Sequence, residues 1–342
     1  MGPPMLWGAG AVTYKLSCPL AQQTGLGARI VTSAVFFVVG TGLVVHVRRT
    51  LLRELRQVRK VAGAAQSVLL RPPPPRIGGL DIAAAQLSAE RGAVVGGDLY
   101  DVTATEYGVR AVIGDVRGHG LGALTTAAAV LGSFREAAHD EPDLTRVLTR
   151  LDRALARHLR ERARAGHPSA GTEPDSPVAE EFVTVLLLEI RRDGELRVLN
   201  CGHPWPYVLR ADPAPGGAAV RVEPLSCGEP LPPLGPFPLP ADLTPSAHGR
   251  LLPGDALVLH TDGVEDARDA RGRFFSLSAA LTECVRTRPV SPQAVLAAVF
   301  SGLRRHSGGP PTDDAALLVL HNARQPAHHQ GEPVGHRAHP VV

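Results

Sequence analysis

The sequence predicts an α+β fold in which antiparallel sheets carry helices on their outer faces. Two patterns carry this prediction. Short runs rich in Val, Leu and Ile arrive in groups between Leu80 and Leu320, not in strict alternation with helices. Such grouping favours antiparallel sheets over a parallel βαβ array. Four short stretches also set carboxylates against the ends of apolar runs: GGDLYD (96–101), GDVRGHG (114–120), TDG (261–263) and TDD (312–314). Aspartates so far apart in the chain meet only through the fold.

The N-terminal region differs from the rest. Residues 1–29 are too short a segment to fold as a sensor domain. Residues 30–47 read IVTSAVFFVVGTGLVVHV, with no formal charge unless His46 is protonated. As a helix this run covers about 27 Å, just enough for a bilayer core. A buried core helix or strand pair is the competing reading, and the flanks decide between them. Arg48, Arg49, Arg53, Arg56, Arg59 and Lys60 follow the run, whereas only Lys15 and Arg29 precede it. The positive-inside rule makes 30–47 a single transmembrane helix of the cell membrane with all later residues in the cytoplasm.

Residues 48–71 form a juxtamembrane linker helix. Leu51, Leu55, Val58, Ala62, Ala65 and Leu69 fall at alternating spacings of four and three, the seam of a short coiled coil. Such a helix either docks on its own domain or joins two copies as a homodimer. Pro72 to Pro75 end it, because proline lacks the amide hydrogen and clashes with a continuing helix.

Residues 72–321 make up the main domain. Expected strands are 80–86, 108–113, 182–190, 196–200, 207–210, 218–224, 255–260 and 315–320. Expected helices are 121–138, 144–164, 277–286 and 292–305. In the second of these, Leu144, Val147, Leu148, Leu151, Leu155 and Leu159 form an apolar stripe at helical spacing. Residues 166–179, rich in Gly, Pro and Ser, read as a mobile loop. Residues 322–342, with His328, His329, His336 and His339, read as a disordered tail.

Composition excludes several functional classes. The formal charge is +3 with 36 basic and 33 acidic residues, so no basic groove for nucleic acid is evident. Lysine occurs only at 15 and 60. Cys18, Cys201, Cys227 and Cys284 are scattered without a CxxC pair, which fits a reducing compartment and offers no disulfide framework. Clustered carboxylates, in contrast, repel one another and are driven to protonate unless a cation compensates them. Hard carboxylate oxygens without paired histidines or cysteines suit magnesium or manganese better than zinc. These features together indicate a metal-dependent hydrolase.

GGDLYD, GDVRGHG, CGHPWPYVLR, LHTDGVEDAR and DDAALLVL stand in the order seen in PPM-type metal-dependent serine/threonine phosphatases. Over residues 66–321 the sequence most resembles the bacterial branch typified by SpoIIE. That resemblance implies an αββα sandwich of two packed antiparallel sheets with two Mn2+ or Mg2+ ions in the cleft between them. It implies Asp115 as the bridging ligand, with the Val116 carbonyl on one ion, Asp98 on one side of the pair, and Asp262 and Asp313 on the other. Asp115 and Asp98 are the expected catalytic pair, and Asp101 and Asp314 are neighbours. The implied substrate is a phosphorylated regulator of the anti-anti-sigma type, dephosphorylated without a phospho-enzyme. The alternative is a membrane-tethered module that binds such a regulator without turnover.

His119 is either a proton donor to the leaving alcohol or a structural residue of its turn. His203 is expected to pack behind the metal site, and Thr184 to belong to a core strand. The frequent Thr-Asp-Gly-Val-x-Glu pattern becomes Thr261–Asp266 here, one methylene shorter at its last acid, and Cys201 stands where alanine is common. Neither departure removes an expected ligand.

Overall fold

The computed structural model describes residues 26–87, 96–118, 120–165, 181–211, 220–225, 228–287, 291–309 and 313–324. The chain divides into two units, Met1–Val61 and Ala62–Val342. The described part of the first unit belongs to helix α1, Leu26–Leu69, one unbroken helix over both N-terminal segments expected from sequence. Between Ser33 and Glu54 none of it is buried, and Val35, Phe37, Val38 and Val44 are exposed.

The second unit opens with the last turns of α1. Leu70 is buried, Leu69 packs against the core and Leu124, and Gln66 Nε2 donates to Gln86 Oε1 at 3.2 Å. Leu69, the last residue of the expected coiled-coil seam, therefore serves its own domain. The side chains of Leu55, Val58, Ala62 and Ala65 lie outside the described set.

The strands are β1 (Arg76–Ile77), β2 (Leu80–Leu87), β3 (Asp98–Thr105), β4 (Gly108–Val116), β5 (Val183–Ile190), β6 (Glu195–Cys201), β7 (Tyr207–Ala211), β8 (Val220–Pro224), β9 (Ser246–Arg250), β10 (Ala256–His260) and β11 (Ala315–Asn322). They form one sheet in the order β1-β2-β11-β10-β7-β8 and a second in the order β3-β4-β5-β6-β9. Neighbouring strands pair antiparallel throughout. Helices α2 (Leu121–Asp140) and α3 (Leu144–Ala165) cover the second sheet, and α5 (Leu277–Thr287) and α6 (Pro292–Ser307) cover the first. A one-turn helix, α4 (Asp262–Glu265), follows β10. The result is the expected αββα sandwich.

Alternation along β10 and β11 shows why their sequences read as continuous apolar runs. Leu257, Leu259, Leu318 and Leu320 face the second sheet, while Ala256, Val258, Leu317 and Val319 pack under α5 and α6. Both faces of the sheet are buried, so no position calls for a polar residue. Ser291 caps α6 by accepting from the Ala294 amide at 3.2 Å, and Gly308 ends that helix with φ of 65°.

Two substantial strands were not among those expected. The sequence of β3, DLYDVTAT, carries two aspartates and two threonines and lacks the apolar density of its neighbours. The sequence of β9, SAHGR, lies on an edge with β6 as its partner and is largely exposed. The expected tail begins too early at 322, since Asn322 is buried in β11 and its Nδ2 donates to the Leu251 carbonyl at 2.8 Å. The expected 166–179 loop, His119 and residues 325–342 lie outside the described residues.

Candidate metal centre

Four strand ends converge at one end of the sandwich. β3 begins at Asp98 and β4 ends at Asp115 and Val116, and the ladder register sets Asp98 directly opposite Asp115. Directly opposed residues project from the same sheet face, with Cβ atoms about 4.5–5.5 Å apart. In the other sheet, β10 runs out into Thr261 and Asp262, and β11 starts just after Asp313 and Asp314.

Thr261 joins the two halves. Its hydroxyl donates to Asp98 Oδ2 at 3.3 Å and accepts from the Ala316 amide at 2.8 Å, so one side chain ties β3 to β11 across the cleft. Asp314 donates its amide to Asp313 Oδ1 at 2.8 Å. Two glycines make the close approach of these groups feasible. A Cβ on Gly97 would lie 2.2 Å from the Val116 carbonyl oxygen and 2.8 Å from Asp115 Oδ1. A Cβ on Gly96 would lie 1.7 Å from Asp314 Oδ2. The GGD motif thus leaves the space into which a carbonyl and two carboxylates point.

Burial and mutual repulsion set the protonation of the cluster. Asp98 is 3% exposed, and its pKa is raised well above the usual carboxylate range by burial first, then by Asp115, Asp314 and Asp262 against the Thr261 hydrogen bond. Asp115 rises from 3.8 to about 7 through burial, then Asp262, Asp313 and Asp314. Asp262 is raised by burial, then by Asp313 and Asp266. Among the described residues, the charges acting on all three come from other carboxylates.

Of the residues expected at the site, the fold brings together Asp98, Asp115, Val116, Asp262, Asp313 and Asp314. Asp101 lies elsewhere. Three residues along a strand from Asp98, it points to the opposite face, where Arg135 Nε on α2 donates to its Oδ2 at 2.6 Å. Behind the cluster, Thr184 on β5 stands opposite Asp115, accepts from its amide at 3.3 Å, and lies 3.0 Å from His203 Nδ1. Asn200 holds the His203 backbone from both sides, accepting from its amide and donating to its carbonyl at 2.8 Å each. His203 is buried, and burial, with His260 beside it, lowers its pKa to about 3. It is neutral and serves as packing behind the site.

Among the described residues, no three His, Cys, Asp or Glu side chains are arranged to enclose an ion by themselves. That does not count against magnesium, which is commonly held by one or two carboxylates with water completing its shell. Buried Asp98, half-buried Asp115, exposed Asp262 and Asp313, and the Val116 carbonyl beside Gly97 form an all-oxygen donor set that fits such ions. Sequence reasoning overlooked Thr261, whose role depends on partners distant in the chain.

The family model for Stage II sporulation protein E (SpoIIE) matches residues 105–322, well over half of the chain. Among solved structures, the SiaA-PP2C domain of Pseudomonas aeruginosa superposes with a TM-score of 0.53 at 17% identity, over 81% of this chain and 98% of that one. A structure of the RsbU and RsbW domains of a Mycobacterium tuberculosis protein superposes with a TM-score of 0.52 at 24% identity, over 72% of this chain. The match spans 61% of that mycobacterial chain, and at these identities both likenesses speak to the fold alone. With the family match, the PPM motifs and the αββα sandwich in agreement, the chain belongs to the SpoIIE family of PPM-type serine/threonine protein phosphatases.

Proposed function

We propose that this chain is a membrane-anchored, Mn2+- or Mg2+-dependent phosphatase that removes phosphate from serine or threonine of a protein regulator of the anti-anti-sigma type. The observation that carries the chemistry is the convergence of Asp98, Asp115, Asp262, Asp313 and the Val116 carbonyl at one end of the sandwich, where burial first and neighbouring carboxylates second raise Asp98 and Asp115. Asp98, Asp115, Asp262, Asp313 and the Val116 carbonyl would hold two ions. Bound there, the ions would neutralise phosphoryl oxygens and acidify a water for in-line attack. Thr261 keeps Asp98 aimed at the cleft, and the Thr184–His203 pair backs the strand position of Asp115. The regulator substrate is supported by family membership and by the mycobacterial structure, in which an RsbU domain accompanies an RsbW domain.

The anchor is supported by α1. Its 22-residue stretch Ser33–Glu54 is apolar enough to cross a membrane, has no buried position, and at 1.5 Å per residue extends about 33 Å. The same helix could pair two copies through Leu51 and the seam that follows.

The test uses the full chain in detergent with a phosphoserine protein and an aryl phosphate. Hydrolysis is expected with Mn2+, and loss of it with chelator or in Asp115→Asn. Equal rates in all three conditions would rule out the metal-assisted reading. For the anchor, cells expressing the full chain or a form lacking residues 1–48 are fractionated. Recovery of both in the soluble fraction refutes a spanning helix.

A further inference from the structure

Asp262 sits on a helix of only four residues, which has no cooperative stability of its own. The Val264 amide bonds to the Thr261 carbonyl at 3.2 Å and the Asp266 amide to the Asp262 carbonyl at 2.8 Å, both within the turn. Val264 plugs the turn into the core under α5 and α6, and on the β11 side Thr261 bonds to Ala316 while Gly263 lies against the Asp314 carbonyl.

A further tie comes from Glu265. Tyr207 on β7 donates its hydroxyl to Glu265 Oε1 at 3.0 Å. His260, the last residue of β10, brings Nε2 to 3.3 Å from Glu265 Oε2, within ion-pair reach though off the hydrogen-bond direction. β7 and β10 are neighbours, with Tyr207 opposite Val258, and the Tyr207 and His260 rings lie 5.8 Å apart. His260 is 1% exposed, so the brace has a rigid base. Each carboxylate oxygen of Glu265 meets a different strand of the sheet, which fixes both the height and the rotation of the turn.

We propose that Glu265 is a positioning residue: braced by Tyr207 and His260, it orients the α4 turn and so aims the Asp262 carboxylate into the cleft. The effect on ion binding rests on the metal-site reading above, whereas the brace itself rests on the contacts of Glu265.

Two readouts on the full chain in detergent separate these. The first is hydrogen exchange at the Val264 and Asp266 amides without metal. Glu265→Ala is expected to speed exchange on the order of tenfold, Glu265→Gln to restore part of the protection through Tyr207, and Tyr207→Phe to speed it a few-fold. Global unfolding stays nearly unchanged, because Glu265 is 40% exposed. The second is calorimetric Mn2+ binding, expected to weaken on the order of tenfold in Glu265→Ala, with kcat at saturating Mn2+ largely kept. Unchanged amide exchange in both Glu265→Ala and Tyr207→Phe overturns the brace. Unchanged Mn2+ affinity in Asp262→Asn overturns the metal-site reading instead, and amide exchange still decides the brace.

Discussion

Asp98 and Asp115 stand directly opposite each other at the open end of the β3–β4 ladder, on the same face, Asp98 buried and Asp115 half-buried. Like charges placed this way are destabilising, and a strand pair selected for stability alone would not keep them. A divalent cation bound at this end, as proposed above, would offset that repulsion.

The first prediction concerns pH. Asp115 titrates near 7 in the folded metal-free protein against 3.8 ordinarily, so the folded state holds a proton that the unfolded state has lost. A raised carboxyl pKa means that stability falls as pH rises from about 4 through 7. His203 acts in the opposite sense. Its pKa falls from 6.5 to about 3, so its contribution is lost as pH drops through that window. The wild-type curve is therefore a partial cancellation, and a difference measurement isolates the carboxylate. In chelator, Asp115→Asn should unfold at a lower temperature than wild type, or the same, at pH 4, and at a clearly higher one at pH 8. Calorimetric melts of both proteins at the two pH values check this; parallel curves would remove Asp115 from the repelling cluster.

Gly97→Ala provides the second. A methyl there would press on the Val116 carbonyl at 2.2 Å and on Asp115 Oδ1 at 2.8 Å, so one of the two must move. Misplacing a ligand by about an ångström can cost on the order of a hundredfold in rate. The expected result is a large fall in Mn2+-dependent turnover with a folded protein by circular dichroism. Full activity in Gly97→Ala would show that neither oxygen is needed where it stands.

Strands β4, β5, β10 and β11 were legible because both of their faces are buried and their sequences run apolar without a break. β3 was not, since Asp98 and Asp101 dilute it. With β3 unrecognised, the spacing of Asp101 could not be read as placing it on the far face beside Arg135. The acidic motifs showed which residues meet but not what steadies them. Thr261 reaches partners 163 and 55 residues away, and the Glu265 brace reaches Tyr207, 58 residues away, whose proximity exists only after the sheet has formed. Long-range pairing of this kind leaves no local periodicity to detect.

Thr184→Val supplies the third prediction. The substitution keeps the shape of the side chain but removes the hydroxyl between the Asp115 amide and His203 Nδ1. Because the ladder still holds Asp115 opposite residue 184, activity should change only a few-fold, while stability drops by about 1–2 kcal/mol for the unsatisfied partners. Denaturant unfolding and steady-state kinetics on the same preparation test that split. A collapse of turnover at unchanged stability would make Thr184 part of the catalytic machinery.

The last prediction tests the end of the fold remote from the metal cleft. Arg110 is fully buried on β4, with Nε and Nη2 bound to Glu189 Oε2 at 2.8 and 2.6 Å. Its remaining donors reach the carbonyls of Ala138, Glu141 and Pro142, where α2 turns into α3. Arg110→Ala would leave the buried Glu189 carboxylate with only the Arg191 Nε contact at 3.2 Å and take a donor from three carbonyls at once. The loss should approach about 3–5 kcal/mol, the cost of breaking a buried pair. Arg110→Met with Glu189→Gln should cost less, because no unpaired charge remains. Arg110 precedes Asp115 by five residues along a strand, about 17 Å, so kcat of the fraction still folded should be unchanged in both variants. Denaturation midpoints together with active-site titration separate the two effects. A fall in kcat per folded molecule would mean that the α2–α3 hairpin reports to the cleft through β4.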